Sequence, residues 1–291
     1  MNLLPSIIYV NISVLLFSVI AVIGSISNID PMVIVFGRTL FAAFGLSVFL
    51  QRCHVLSDTK KSFKEQSLLG FSGLILCCHW VFFFMSITTG SVAIALLTFA
   101  CFPFFVTCIN LACRTTQLSL MDIACSVSIT IGAYIMIGDL SFTEITPWIY
   151  GFVSSLLFAI LTLINKRIVY HFNPINISFV QNTISCTLLS FFVYGDLGNL
   201  KLSQWGLLIF FGLVCTAFAH TLLILSLQKL SAFQASLFVN MEPIYGILLA
   251  TVFLGEEMKS NELIGAVFIL IAIGLGLIPL TRYNKFSPLN G

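Results

Sequence analysis

Apolar residues along this chain fall into ten runs, each close to the roughly 20 residues a helix needs to cross the hydrocarbon layer of a bilayer. The runs lie at roughly 4–23, 32–50, 67–87, 91–112, 119–137, 147–165, 175–194, 204–226, 232–253 and 262–280. Most connections between them are short, which predicts a compact helical bundle. One is long, Gln51 to Gln66 (QRCHVLSDTKKSFKEQ), and its lysines and polar residues predict an exposed loop or surface helix. The first run lacks a basic flank and an A-x-A cleavage site, so it is read as a retained span rather than a signal peptide. The pattern predicts an all-α polytopic membrane protein with ten transmembrane helices.

The runs repeat. IYVNISVLLFSVI from Ile8 aligns with IYGFVSSLLFAIL from Ile149, matching Tyr9 to Tyr150 and Phe17 to Phe158. PMVIVFGR from Pro31 aligns with PINISFVQ from Pro174, matching Arg38 to Gln181. His79 then matches His220, and Pro103 matches Pro243. The repeat unit is five helices, placed at residues 1–138 and 139–291. Because five is odd, the second copy enters the membrane from the opposite face. The result is two inverted five-helix repeats, an arrangement used for alternating access.

Composition agrees with this class. Charged residues make up 8% of 291 and hydrophobic residues 59%, against about 25% charged in soluble domains. The net charge of +2 is uninformative, and the absence of a basic patch argues against a nucleic-acid partner. The distribution of charge says more. With the N-terminus cytoplasmic, the inside loops and tail hold Arg52, Lys60, Lys61, Lys64, Arg114, Lys166, Arg167, Lys229, Arg282 and Lys285, and the outside loops only Lys201 and Lys259. The positive-inside rule therefore places both termini in the cytoplasm. The nine cysteines show no CxxC and are read as small buried hydrophobes. Cys77, Cys78 and His79 are consecutive, so on a helix they point about 100° apart and make a poor chelate. No metal, cofactor or catalytic residue is expected. There is no Walker loop, HExxH or GxSxG motif, so energy for transport has to come from the solute gradient, a proton or a sodium ion.

Candidate chemistry centres on Ser231 to Glu257 (SAFQASLFVNMEPIYGILLATVFLGEE), which carries Glu242 and Pro243 mid-span. A carboxylate at that depth requires a partner, a proton or a water-filled cavity. Proline removes a backbone donor and tends to kink a helix. Pro103 occupies the corresponding place in the fourth run. A pair of broken helices at matching positions points to a transporter's binding site. Arg38 in the second run keeps its charge and so has to face a cavity or pair with another group. His79 and His220 serve either as interhelical hydrogen bonders or, by their symmetric placement, as cavity residues. Trp80 and Phe83 are candidates for an aromatic cavity wall able to stack on a flat or cationic ligand. Asn240, Gln181, Gln234, Asn182 and Asn165 can meet polar substrate groups or bond between helices. Gly255 suits a helix C-cap, with Glu256 beside it read as structural.

The chain resembles the drug/metabolite transporter superfamily, with two EamA-type repeats. The residues that carry the resemblance are Arg38 in FGRTLFAAFGL, the stretch HWVFFFMSITTGSVAIALL from His79, NKR at 165–167, and above all Glu242–Pro243, Gly255–Glu256 and Gly265. The resemblance covers nearly the whole chain. It implies a ten-helix carrier of small organic solutes in the inner membrane, with the cavity between the repeats. The first repeat departs from the second in carrying Phe102 where Glu242 stands.

The expected function is secondary-active transport of a small polar metabolite, an amino acid or amino-acid derivative. Arg38, His79, Trp80, Phe83, Gln181, His220, Asn240 and Glu242 are expected to line the cavity or couple the transport, with helix breaks at Pro103 and Pro243. Two alternatives stay open: an uptake carrier of the S-adenosylmethionine type found in intracellular bacteria, and a lipid flippase or non-transporting scaffold. The expected partners are the solute, the bilayer and a coupling proton or sodium ion. A monomer suffices, since one chain holds both repeats, and a dimer is compatible.

Overall fold

A computed structural model describes residues 3–52, 62–113, 120–138, 144–193, 195, 197–255 and 257–277. Among these residues the chain forms ten membrane-crossing helical spans and no strand. In hydrocarbon every backbone N–H and C=O must be satisfied within the protein, and helices do this span by span. Spans one to three are α1 (Leu4–Ile26), α2 (Pro31–Arg52) and α3 (Phe63–Thr89). The fourth is broken into α4 (Val92–Phe99) and α5 (Phe102–Ala112), and the fifth is α6 (Leu120–Ile137). Spans six and seven are α7 (Thr146–Ile168) and α8 (Pro174–Val193). The eighth runs as α9 (Leu202–Gly212), a π-helical segment Leu213–Phe218, and α10 (Ala219–Ser226). The ninth is broken into α11 (Ala232–Val239) and α12 (Glu242–Leu254), and the tenth is α13 (Ser260–Leu277).

The helix starts repeat along with the sequence. Pro31 and Pro174 open α2 and α8, where a missing N–H costs nothing. The residue before each caps the new turn: Asp30 Oδ1 accepts from Met32 N at 2.8 Å and Asn173 Oδ1 from Ile175 N at 2.9 Å. Ser91 and Ser231 cap α4 and α11 in the same way. The basic connection expected at 51–66 resolves at its end into a capping box, with Ser62 and Glu65 starting α3. Its residues 53–61 lie outside those described, as do Glu256 and residues 278–291. Gly255 closes α12 with φ 71°, as its position suggested.

The two repeats are not separate halves. α3 packs along α7, α1 along α10 and α12, α2 along α8, and α6 along α13, so every main contact joins one repeat to the other. The pairing obeys the inverted symmetry down to single hydroxyls. Ser154 on α7 donates to the His79 carbonyl of α3 at 3.1 Å, and Ser13 on α1 donates to the Ala219 carbonyl of α10 at 2.8 Å. Large apolar side chains such as Phe191, Phe192, Val252 and Phe253 are exposed on the outside, where lipid is the solvent. Arg38, His79, His220, Gln181, Asn182 and Asn240 are buried inside. The cysteines follow their surroundings: Cys77, Cys125 and Cys215 are buried as expected, whereas Cys108 and Cys113 are exposed. Cys108 sits on the membrane-spanning α5, where a small apolar side chain is as compatible with lipid as with core.

Candidate functional site

A cavity of about 360 Å³ opens inside the bundle, within the range typical of ligand pockets. Its lining follows α3 from Leu76 to Ile87, a rise of about 16 Å, or roughly half of a ~30 Å hydrocarbon layer. At its mouth stand Asn28, Pro31, Ile87 and Val92, all next to the α1–α2 and α3–α4 connections. At its floor stand Arg38, His79, His220 and Glu242. The mouth therefore lies on the face of the bundle opposite the start of α1.

The two broken spans give the floor its contrasting walls. Pro243, the second residue of α12, has no N–H to offer the Val239 carbonyl, and Val239 lies in the cavity lining. Asn240 and Met241 close the gap with tight three-residue bonds to Leu237 and Phe238. The break places Glu242 at the first position of α12, where the positive helix end favours a carboxylate. Ser18 on α1 bonds the Glu242 main-chain oxygen at 2.9 Å, fixing its backbone. The Glu242 side chain makes no hydrogen bond to any described residue. In the first repeat, Pro103 likewise releases the Phe99 carbonyl, and the Ser155 hydroxyl takes it at 3.3 Å. There the residue at the Glu242 position is Phe102, fully buried and packed on Phe99 and Phe158 at centroid distances of 5.8 and 4.9 Å. One break thus presents a charge and the other an aromatic wall.

Arg38 is only 7% exposed, yet it carries charge at the cavity floor. Its Nε–H donates to Thr216 Oγ1 at 2.9 Å, and its Cζ lies 4.6 Å from the Trp80 ring centroid, a cation–π contact. Neither Nη group bonds to a described residue. Arg38 and Glu242 are the charged members of the lining, and no ion pair within 4 Å joins them.

The histidines, matched in the sequence repeat, stand one residue out of structural register and are held differently: the counterpart of His79 is Ala219, whose carbonyl takes Ser13 as the His79 carbonyl takes Ser154. His79 Nδ1 lies 2.9 Å from Ser154 Oγ and 3.0 Å from the Ser154 carbonyl. Its ring lies tilted against Phe158 and Phe99, at centroid distances of 4.7 and 5.7 Å. His220 Nε2 donates to Gln181 Oε1 at 2.9 Å, and Gln181 Nε2 donates on to Ser72 Oγ at 2.8 Å and Asn165 Oδ1 at 2.7 Å. This chain ties four spans together.

Of the residues expected from the sequence, Arg38, His79, Trp80, Phe83, His220 and Glu242 line the cavity. Gln181 and Asn240 do not. Gln181 is fully buried behind His220 with its amide spent on three neighbours, and Asn240 turns its Nδ2 back to the Ser236 carbonyl at 2.9 Å. The sequence reading missed Thr216, Ser154, Ser18, Phe99 and Phe158. Serine, threonine and phenylalanine are so common in these spans that no single one stands out.

The EamA-like transporter family model matches residues 4–138 and 146–278. This chain belongs to that family. It is therefore a multi-pass membrane transporter of the drug/metabolite superfamily. An uncharacterized transporter, YxxF, of Bacillus subtilis is 26% identical over 277 residues, covering 92% of this chain and 88% of its own length. A crystal structure of another protein superposes with a TM-score of 0.79 over 96% of this chain and 99% of its own, at 14% identity. That likeness concerns the fold alone.

Proposed function

We propose that this transporter is a secondary-active carrier that moves an amino acid or amino-acid derivative by alternating access. The carrying observation is that Arg38 and Glu242, one cation and one carboxylate, share a cavity floor without pairing to each other. Two opposite charges left apart in a low-dielectric site are costly unless a ligand completes both. A zwitterion does so. Its carboxylate meets the Arg38 guanidinium, and its ammonium meets Glu242 beside the Val239 carbonyl. Phe83, Phe99, Phe158 and Trp80 offer an apolar wall to the rest of the molecule. Glu242 is also the group that a coupling proton would use. The repeats are divided at 138/139, and the positive-inside count supports cytoplasmic termini in the cell inner membrane. In that orientation the cavity of this conformation opens outward.

The test is a thermal-shift panel on purified protein with amino acids, S-adenosylmethionine and nucleotides. A ligand present at 100 times its Kd stabilises by about 2.7 kcal/mol, enough to move Tm by several degrees. An amino acid is expected to raise Tm, with affinity falling about 10- to 100-fold in both Arg38→Gln and Glu242→Gln, since each removes a charge-assisted contact. An amino-acid hit unchanged in both variants would refute the site. A response only to S-adenosylmethionine would replace the substrate. A folded protein silent to the whole panel would turn the assignment towards a lipid.

A further inference from the structure

We infer that Thr216 is a positioning residue for Arg38, presented by the π-helical turn of span eight so that the guanidinium is held as an anion-binding fork. The inference rests on the reading of Arg38 as a substrate contact and adds what holds it in place. Three observations carry it.

The first is the geometry at Arg38 itself. A guanidinium has five N–H donors in a rigid fork. Thr216 takes the Nε–H at 2.9 Å, and Trp80 covers one face at 4.6 Å. Both contacts leave the Nη edge unused, and that edge suits bidentate recognition of a carboxylate.

The second is the comparison with the other repeat. Gln181, the counterpart of Arg38, reaches a hydroxyl on span three, Ser72. Arg38 reaches a hydroxyl on span eight, the counterpart of span three. The two contacts are symmetric in kind but not in register. Gly73 packs on Gln181, where an added Cβ would come within 3.2 Å of the Gln181 Cα. Gly212 packs on Arg38, where it would come within 3.0 Å of the Arg38 carbonyl. Taking these glycines as the shared reference, Ser72 stands one residue before Gly73. The residue in that place on span eight is Phe211, which has no polar atom to offer. The hydroxyl comes instead from Thr216, four residues beyond Gly212.

The third is the cause of the shift. From Gly73 to His79, whose carbonyl takes the Ser154 hydroxyl, is six positions, and from Gly212 to Ala219, whose carbonyl takes the matching Ser13 hydroxyl, is seven. Span eight holds one extra residue between these matched points and absorbs it in the π-helical segment Leu213–Phe218. Such insertions lie frequently at functional sites. Here the insertion re-aims one hydroxyl onto Nε. The contrast with Gln181 follows: its amide is consumed by His220, Ser72 and Asn165, whereas Arg38 keeps its Nη donors for a ligand.

Two measurements on the full-length protein test this. The first uses phenylglyoxal, which condenses with guanidinium Nη groups, with the modification of Arg38 quantified by peptide mass spectrometry. Thr216→Val is expected to change the rate at Arg38 by threefold or more, leaving arginines outside the bundle unaffected, while Thr216→Ser restores the wild-type rate. If Thr216→Val does not fold, Thr216→Ala removes the same hydroxyl with less bulk and carries the same expectation. An unchanged rate in a folded hydroxyl-free variant overturns the inference. The second compares the Kd of an amino acid that binds with that of its carboxamide. Thr216→Val is expected to reduce the preference for the free carboxylate about tenfold while altering the amide's Kd less than twofold. Equal weakening of both ligands would mean a merely structural hydroxyl and would also overturn it. If wild-type protein binds no amino acid, the substrate reading fails, and the phenylglyoxal result still decides the role of Thr216.

Discussion

Gln181 shows how a residue's role depends on neighbours that are remote in sequence. It stands where Arg38 stands in the other repeat, and as a polar side chain in a span it qualifies as a cavity candidate. Its three partners come from spans three, six and eight, and together they saturate its amide. The network predicts an order of stabilities. Gln181→Leu leaves the His220 Nε2–H without its acceptor and Asn165 Oδ1 without its donor, at a cost of about 1–3 kcal/mol for the buried groups. Ser72→Ala removes one interhelical bond, worth about 0.6 kcal/mol in membrane helices. Thermal unfolding of the two variants should show the larger drop in Gln181→Leu, and equal drops would argue against a connected network. The ionisable residues were easier to recognise. Charge in hydrocarbon is expensive wherever it occurs, so Arg38, His79, His220 and Glu242 announce themselves without any partner being known.

At the scale of elements, proline and insertion behave differently. Pro103 and Pro243 mark two helix breaks by their chemistry alone, and at both the regular helix bonding lapses for two residues, whose backbone stays near the helical region and whose bonds tighten to three residues apart at Cys101, Asn240 and Met241. The π-helical turn has no such marker. LVCTAF contains no residue that enforces it, and it becomes visible only when Gly212 and Ala219 are measured against Gly73 and His79. A helical-periodicity reading therefore assigns Thr216 to the wrong direction. Close packing of α6 on α13 gives a second element-scale expectation. An added Cβ at Gly265 would come within 2.8 Å of Met136 N and would press on the Gly132 carbonyl. Gly265→Leu should destabilise by about 1–3 kcal/mol through overpacking and lower Tm, while the ligand response of the remaining folded protein persists. Unchanged stability would mean that α6 and α13 separate without penalty.

For the whole molecule, the cavity mouth and the loop charges make one joint prediction. Ile87 lines the mouth, and Gln228 lies at the opposite face, where Tyr170 reaches its carbonyl at 3.2 Å. In a cysteine-free background, Ile87→Cys should react with a membrane-impermeant maleimide added to intact cells. Gln228→Cys should react only after the membrane is opened. The reverse pattern would invert the topology inferred from the lysines and arginines. Labelling of both in intact cells would contradict a cavity closed on one side.

Span number, the inverted repeat, the charge asymmetry and the two proline breaks were readable from residue order, because each arises from local composition or from comparing the chain with itself. Hydrocarbon leaves a long apolar run few choices besides a helix, so hydropathy translates almost directly into architecture. The interleaving of the repeats and the withdrawal of Gln181 and Asn240 from the cavity were decided by packing between spans. So were the presentation of Arg38 by Thr216 and Trp80 and the separation of Arg38 from Glu242. Hydrogen bonds and ring contacts between residues tens to hundreds of positions apart depend on helix rotation and register. Those are set by the close fit of small residues and by a one-residue insertion whose effect exists only once span eight lies against span two.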